Sequence, residues 1–386
     1  MKKMLFVLIS IGIIVGGFYL LLKKTNEPVK EEQQEEEKNP EYAYLMNDKG
    51  IFSKYYDKAF AKLKELTIDE KIGQLFLVRV PESDAVTILS NYQFGGYIIF
   101  DRDVRNTNKE GFIEKINSYQ SVSKVPLIIA SDEEGGTVTR VSRYSSLVPE
   151  RFRSPQEIYS NGGMDAIRED TINKSAILKE LGINVNLAPV ADVSNNPNDF
   201  IYARTIGLDA EGTGKYVETV IKASKGTDVS YVLKHFPGYG NNVDTHTGIA
   251  YDQRSVESFK AVDLVPFKVG IKTGAEAVLV NHNIIVNMED NIPASLSSKV
   301  HELLRNDMGF TGVIMTDDIA MDAIDKYVDK PSVKALLAGN DMIIISDYER
   351  GIREIKEALE AGEITEEMID RAVMRTLAWK YYKGLM

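Results

Sequence analysis

The sequence predicts an α/β fold, a (β/α)8 TIM-type barrel. Eight short apolar runs rich in β-branched residues recur between Gln74 and Ser346, and each leads into a polar loop and a segment of helical period. Near-continuous apolar strands are typical of a parallel sheet that helices cover on both faces. Eight strands favour a closed barrel. An open, doubly wound sheet is the alternative, because counting strands does not establish closure.

The predicted strands share an apolar, β-branched core. They span residues 74–80, 96–100, 126–131, 184–190, 231–235, 277–282, 312–317 and 341–346. Helices are predicted between them over residues 108–122, 165–181, 212–226, 255–273, 297–308 and 330–338. Residues 364–385 predict a closing amphipathic helix, because its acidic residues come early and its lysines late, as the helix dipole favours.

The N-terminal part of the chain has a different composition. Residues 4–22 form an apolar run of about the length that crosses a bilayer, with two lysines on each side. We therefore predict a membrane anchor or uncleaved signal over residues 1–24, an acidic linker over 25–41 and one catalytic domain over 42–386. The domain is expected outside the cytoplasm, held at the cell membrane by this single-pass anchor; secretion is the alternative.

Composition narrows the classes of partner and chemistry. A formal net charge of −11 argues against a nucleic-acid partner, which requires basic surface. The chain has no cysteine and no His-Glu-x-x-His motif, so thiolate nucleophiles are excluded and metal catalysis is disfavoured. We expect no cofactor, no bound metal and a monomeric protein.

Polar residues fall where the predicted strands end, which in a barrel is the position of the active site. Five strands end in ionisable groups. These are Asp132, Asp192, Lys234 with His235, His282, and Asp317 with Asp318. For Lys234 and His235 the competing interpretation is a pair of buried polar residues satisfied by neighbouring strands.

Asp317 and Asp318 are adjacent carboxylates at the end of one strand. Because successive strand side chains alternate, we expect only one of them to face the barrel interior. Asp317 is predicted to point inward and Asp318 to serve the loop or to cap a helix, a role for which aspartate is well suited.

His246 follows a Gly/Pro-rich loop and has Asp244 two residues before it. A carboxylate at that spacing can approach the imidazole, hold one tautomer and stabilise the protonated form, which makes an acid/base near neutral pH. The alternative is a histidine exposed on a loop.

These motifs resemble a known family. Residues 234–240, Lys-His-Phe-Pro-Gly-Tyr-Gly, with Asp244-Thr245-His246, resemble the signature Lys-His-Phe-Pro-Gly-His-Gly…Asp-Ser-His of bacterial β-N-acetylhexosaminidases of glycoside hydrolase family 3. Residues 131–140, residues 316–321 and the segment around Arg204 are similar to three further motifs of that family, in the same order. The likeness extends along most of residues 60–386.

The resemblance implies a retaining, exo-acting hydrolase that removes terminal β-linked N-acetylglucosamine, with Asp317 as nucleophile and His246 as acid/base assisted by Asp244. It further implies which residues hold the sugar: Asp132, Arg140, Arg204, Lys234 and His235. The implied substrate is a peptidoglycan fragment in which N-acetylglucosamine is linked to N-acetylmuramic acid. A phosphorylase using the same site, a non-catalytic wall-binding protein and a β-glucosidase are the alternatives.

Three positions depart from the family pattern. Tyr239 stands where histidine is usual, Thr245 replaces serine, and Glu133 replaces a common glutamine. Thr245 keeps the hydroxyl, whereas Tyr239 is expected to alter loop packing or substrate preference. Larger members of the family carry a second domain after the barrel, and this chain has no room for one. We therefore expect its nearest relatives to be the single-domain enzymes.

Overall fold

The computed structural model describes residues 40–242, 245 and 248–386. Tyr42–Met386 form one compact unit. The predicted anchor over residues 1–24 and nearly all of the predicted acidic linker lie outside the described residues. Within the described ranges, none of the helices is both long and apolar enough to cross a membrane.

Ten strands are present in the described part of the chain. In chain order they are β1 Phe76–Arg79, β2 Gly96–Ile99, β3 Ile128–Ser131, β4 Val185–Asn186, β5 Ser230–Phe236, β6 Tyr251–Asp252, β7 Ala277–Val280, β8 Ile284–Ile285, β9 Val313–Thr316 and β10 Ile343–Ile345. Eight of them pair in parallel in the order β10-β1-β2-β3-β4-β5-β7-β9, and β6 pairs with β8.

The two ends of the eight-stranded sheet also meet. Met315 of β9 forms a parallel bridge with Met342, which precedes β10, and the Asp341 backbone N–H donates to the Ile314 carbonyl at 2.8 Å. The sheet therefore closes into a barrel, and the open-sheet alternative is wrong. Parallel pairing throughout the barrel places all eight C-terminal strand ends on one rim.

Fourteen α-helices surround the strands in the described residues. They are α1 Tyr56–Lys64, α2 Ile68–Gln74, α3 Ala85–Tyr92, α4 Asp101–Val104, α5 Lys109–Val122, α6 Pro155–Glu180, α7 Ala210–Ser224, α8 Val256–Ala261, α9 Leu264–Thr273, α10 Ser298–Glu302, α11 Asp322–Asp325, α12 Pro331–Ala338, α13 Tyr348–Glu360 and α14 Glu366–Tyr382. A π-helical turn, Leu303–Asp307, continues α10.

All eight predicted barrel strands are confirmed, with differences at their ends. The strand predicted over 184–190 is the most shortened: β4 ends at Asn186, and only Val190 pairs again, with Lys234. Pro189 lies between them and has no N–H to donate to a ladder. The helix predicted over 255–273 is two helices, separated at Val262 and Asp263, where the Asp263 carboxylate accepts from Arg254 at 2.7 Å.

The C-terminal helix α14 packs beneath the barrel. Trp379 Nε1 donates to Oε2 of Glu276, the residue before β7, at 2.9 Å. The side-chain nitrogen of the buried Lys380 donates to Oε1 of Gln74, which lies just before β1, at 2.9 Å. These contacts join the helix to the N-terminal strand ends. The opposite rim, where the strands end, remains available for a site.

A buried ion cluster reinforces the closure between β9 and β10. The Asp341 carboxylate accepts from Arg305 at 2.5 Å, from Arg375 at 2.7 Å and from the Ile314 backbone N–H at 2.8 Å. The carboxylate lies between two buried arginines, so each guanidinium has an opposite charge beside it in the interior. Asp341 thus links two helices to the last pair of strands.

Candidate active site

A cavity of about 440 Å³ opens at the C-terminal rim of the barrel. Its ionisable lining consists of Arg79, Asp132, Arg140, Arg204, Lys234, His235, Asp317, Asp318 and Asp322. Six of the eight predicted site residues are therefore brought together in one cavity. The other two, Asp244 and His246, lie outside the described residues.

Lys234 is the centre of the cavity floor. It belongs to β5, its side chain is only 3% exposed, and its ammonium lies 2.7 Å from Asp132 Oδ1 and 2.6 Å from Glu134 Oε1. Arg140 contacts the other oxygen of Asp132 at 3.1 Å. Asp132 is thus shared between two cations, and this sharing lowers the electrostatic cost of burying the charged groups.

Arg204 completes the charged floor from the other side. It ends a short 3-10 turn after β4, and its guanidinium contacts both oxygens of Glu134, at 3.0 Å from Nε and 2.7 Å from the terminal nitrogen. The same terminal nitrogen lies 2.9 Å from His235 Nε2. A bidentate pair of this kind fixes orientation as well as charge, so Arg204 holds a single geometry.

The charges in this floor determine its protonation. Burial raises the pKa of Asp132, but Lys234 and Arg140 outweigh burial and hold that pKa well below its usual range. Burial likewise raises the pKa of Glu134, and Arg204 and Lys234 outweigh it and bring that pKa to about 2. Both groups are carboxylates at neutral pH and accept hydrogen bonds only.

His235 is oriented by a buried aspartate. Asp192 Oδ2 lies 2.7 Å from His235 Nδ1 and accepts the His235 backbone N–H at 3.1 Å, while the Asn281 amide donates to the His235 carbonyl at 3.1 Å. A carboxylate against Nδ1 favours the tautomer that carries the proton there. His235 therefore presents Nε2 toward Arg204 and the cavity.

Asp317 and Asp318 both line the cavity, which corrects the expectation that only one of them faces it. β9 ends at Thr316, and the alternation of strand side chains does not extend beyond that residue. Asp318 also has the predicted loop role, because its Oδ1 accepts the Ala320 backbone N–H at 3.0 Å. The Asp317 backbone N–H donates to the Val280 carbonyl at 2.8 Å, which ties this strand end to β7.

His282 also ends a barrel strand, but it supports the cavity from behind. It is buried, with Nδ1 2.7 Å from Ser295 Oγ and Nε2 3.0 Å from the Asp318 carbonyl. Asp192 is equally buried and reaches the cavity only through His235. His282 and Asp192, the residues at two of the five predicted strand ends, therefore position other residues.

Two residues of this region, Glu134 and Arg79, were not predicted from the sequence, and Asp192, predicted at a strand end, serves to position His235. Glu134 stands two residues after Asp132 and could have been inferred from a second carboxylate in the same motif. Arg79 ends β1 inside the cavity, with its guanidinium 4.0 Å from the centre of the Phe100 ring. The strand-end signal could have found it, because Arg79 is an ionisable residue at the end of an apolar strand, and the predicted strand ran one residue too far.

The fold and the cavity together define a class. Active sites of barrel enzymes lie at the rim where the strands end, and this rim carries fixed carboxylates, guanidinium groups and an ammonium around a water-accessible space. Such a lining offers both donors and acceptors, which is what the hydroxyl groups of a sugar require. The protein has the architecture of a carbohydrate-active barrel enzyme.

Comparison with known proteins assigns the family. Residues 67–378 match the model of the glycosyl hydrolase family 3 N-terminal domain. Beta-hexosaminidase LpqI of Mycobacterium tuberculosis is 30% identical over 325 residues, which cover 81% of this chain and 82% of that protein. The chain belongs to glycoside hydrolase family 3 and is a glycoside hydrolase.

Solved structures agree with this assignment. A family 3 β-N-acetylglucosaminidase from Paenibacillus sp. str. FPU-7 superposes with a TM-score of 0.77 at 31% identity, covering 83% of this chain and 63% of that one. The structure of M. tuberculosis LpqI gives a TM-score of 0.75 at 27% identity, covering 82% and 95%.

The depressed pKa of Glu134 predicts how stability depends on pH. Its folded-state pKa of about 2 lies below its ordinary value of 4.5, so it contributes stability above pH 4.5 that is lost as the pH falls toward 2. In Glu134→Gln, the fall in unfolding free energy between pH 5 and 2.5 is expected to be shallower, by up to about 1.4 kcal/mol per pH unit. Urea denaturation at successive pH values measures this slope.

Glu218→Gln is the matched control, because Glu218 pairs with Lys222 on the surface, where solvent screens the interaction. Its slope should stay close to that of the parent protein. Equal slopes for the parent and Glu134→Gln would show that the ion pairs of Glu134 do not lower its pKa.

Proposed function

We propose that the protein is a retaining exo-β-N-acetylglucosaminidase that hydrolyses terminal, non-reducing β-linked N-acetylglucosamine. The observation that carries the proposal is the charged floor around Lys234, in the same cavity as Asp317. The β-hexosaminidase name of the M. tuberculosis relative and the β-N-acetylglucosaminidase activity named for the Paenibacillus structure support this substrate.

Asp317 is the proposed nucleophile. Its carboxylate attacks the anomeric carbon, and the bond to the leaving oxygen breaks as His246 donates a proton to that oxygen. The product of this step is a glycosyl ester of Asp317. His246 then removes a proton from water, the water oxygen attacks the anomeric carbon, and Asp317 leaves as a carboxylate. Two inversions retain the configuration of the sugar.

The charged floor is proposed to hold the terminal sugar. Asp132 accepts hydrogen bonds from hydroxyl groups, whereas Lys234, Arg140 and Arg204 donate to hydroxyl or carbonyl oxygens. His235 presents Nε2 to the same space. Because the ion pairs already fix these side chains, binding a sugar requires little further ordering, and the anomeric carbon can be held in one place before Asp317.

A histidine is an uncommon acid/base among retaining glycosidases. Retaining glycosidases mostly use a second carboxylic acid, whose pKa has to be raised before it can donate a proton at neutral pH. Imidazole gains and loses its proton near pH 7 without that adjustment. Asp244, two residues from His246, is proposed to orient the imidazole and to stabilise its cationic form.

The proposed substrate is a peptidoglycan fragment in which N-acetylglucosamine is linked to N-acetylmuramic acid, and the enzyme is proposed to act as a monomer.

The apolar run over residues 4–22 motivates a location at the outer face of the cell membrane. Fractionation of cells producing the full-length protein should recover it with the membranes. Recovery in the soluble cytoplasm would contradict the proposed location.

Hydrolysis of a chromogenic β-N-acetylglucosaminide by the full-length protein tests the activity. Asp317→Asn should lower kcat by about 10³-fold or more, because no covalent intermediate can form without the nucleophile. Asp325→Asn is the matched control, since that exposed carboxylate pairs with Arg350 on the surface and should leave activity within about twofold of the parent.

The variant His246→Ala tests the proposed role of His246 as proton donor to the leaving group. It should lower kcat/KM by about 10²-fold on a substrate with a poor leaving group and much less on an activated one, which leaves without protonation. The assays are repeated with phosphate. Free N-acetylglucosamine as the product in phosphate supports the hydrolase, whereas N-acetylglucosamine 1-phosphate would establish the phosphorylase. Absence of both products from folded protein would overturn the proposed function.

A further inference from the structure

The side chain of Tyr239 connects the charged floor to the loop that carries the proposed acid/base. Tyr239 follows β5 and is buried, with 1% of its surface exposed. Its hydroxyl lies 2.6 Å from the hydroxyl of Thr245, which is also fully buried. Two neutral hydroxyls at this distance and depth form a hydrogen bond that water does not compete for.

Tyr239 is itself held from the side of the sugar-binding residues. Its backbone N–H donates to Asp192 Oδ1 at 2.7 Å, and the other oxygen of that carboxylate contacts His235 Nδ1 at 2.7 Å. Its ring meets the His235 ring edge-on, with centroids 5.2 Å apart, and packs against Phe200 at 5.9 Å. One carboxylate therefore sets the positions of both His235 and Tyr239.

Burial and nearby charge keep the Tyr239 hydroxyl protonated. Burial raises the pKa of the Tyr239 hydroxyl far above its ordinary value, and the negative charge of Asp317 raises it further. The hydroxyl is thus neutral at physiological pH. Its hydrogen bond to Thr245 does not switch with pH, unlike one made by a histidine at the same position.

Thr245 stands in the sequence between Asp244 and His246. Peptide bonds join Thr245 directly to both residues of the proposed acid/base pair, so the way Thr245 is held bears on the proton-transfer steps. General acid catalysis is sensitive to position, because the proton donor must come within about 3 Å of the leaving oxygen.

We propose that Tyr239 is a positioning residue for the proton-transfer steps: through its hydrogen bond to Thr245 it aligns the Asp244–His246 segment with the sugar held by the charged floor. The inference rests on the proposed function and adds a residue to it. Tyr239 acts through Thr245 and does not itself transfer a proton. The role predicts a defect that depends on how much the leaving group needs protonation.

Tyr239→Phe tests the role, because it removes only the hydroxyl and keeps the ring that packs against His235 and Phe200. The probes are two aryl β-N-acetylglucosaminides, one with a dinitrophenol and one with a methoxyphenol leaving group. We expect kcat/KM to fall about 10- to 100-fold on the methoxyphenyl substrate and less than about threefold on the dinitrophenyl substrate. An equal fall on both substrates, or no fall, would overturn the proposal.

Thr245 provides the second half of the test and an independent variant if Tyr239→Phe does not fold. Thr245→Val should reproduce the leaving-group dependence, and Thr245→Ser should restore activity because it retains the hydroxyl. The Tyr239→Phe/Thr245→Val double variant should be no worse than either single variant, since all three lack the same hydrogen bond. Additive losses would overturn the proposal.

Tyr231→Phe is the matched control. Tyr231 is also a buried tyrosine of this segment, and its hydroxyl lies 3.0 Å from Ser175 Oγ, on the side of the barrel packed against α6. This variant loses a comparable hydrogen bond, so its kcat/KM should change equally, if at all, on the two substrates. Thermal unfolding of each variant separates loss of folded protein from loss of alignment.

The proposed function and this inference fail in different ways. If the parent protein releases neither phenol, the β-N-acetylglucosaminidase assignment fails, and the inference falls with it. If the parent hydrolyses both substrates and Tyr239→Phe keeps the same ratio of rates between them, the assignment stands and the positioning role is overturned.

Discussion

The site depends on the ammonium of Lys234, held 2.7 Å from Asp132 and 2.6 Å from Glu134. A buried lysine without partners would lose its charge, and two buried carboxylates without partners would gain protons. Beside Lys234 and Arg204 the two carboxylates stay ionised, because each lies against an opposite charge. The floor of the cavity is therefore rigid and charged before any sugar arrives, and a rigid floor can hold an anomeric carbon before Asp317.

Much of the fold could be predicted because its signals are local. Each barrel strand is a short apolar run, and each was found within a few residues of its predicted position. Closure was favoured by the strand count but not established by it, because the bridge between Met315 and Met342 and the ion cluster around Asp341 join segments through tertiary contacts. The break at Val262 and Asp263 also escaped prediction, although Pro266, four residues after Val262, is a local signal for it.

The candidate site likewise contains residues that local sequence signals predict and residues that they do not. Asp132, Lys234, His235 and Asp317 were predicted because each ends a strand and the barrel gathers strand ends at one rim. Glu134 and Arg79 were not predicted. Asp192 was expected at a strand end, but its role depends on a partner distant in the sequence, because it contacts His235. Tyr239 looked like a departure from a motif, and only its contact with Thr245 shows what the hydroxyl does. The roles of Asp244 and His246 stay predictions.

Asp317 is proposed to form a covalent bond to the sugar, and trapping that bond tests the proposed mechanism most directly. A 5-fluoro-N-acetylglucosaminyl fluoride reacts readily, because fluoride leaves without a proton, but its ester is hydrolysed slowly. Mass spectrometry of the protein after incubation should show one added fluorinated N-acetylglucosamine unit, and peptide fragmentation should place it on Asp317. Turnover of the reagent with no adduct, or an adduct on Asp318 or another carboxylate, would contradict the account.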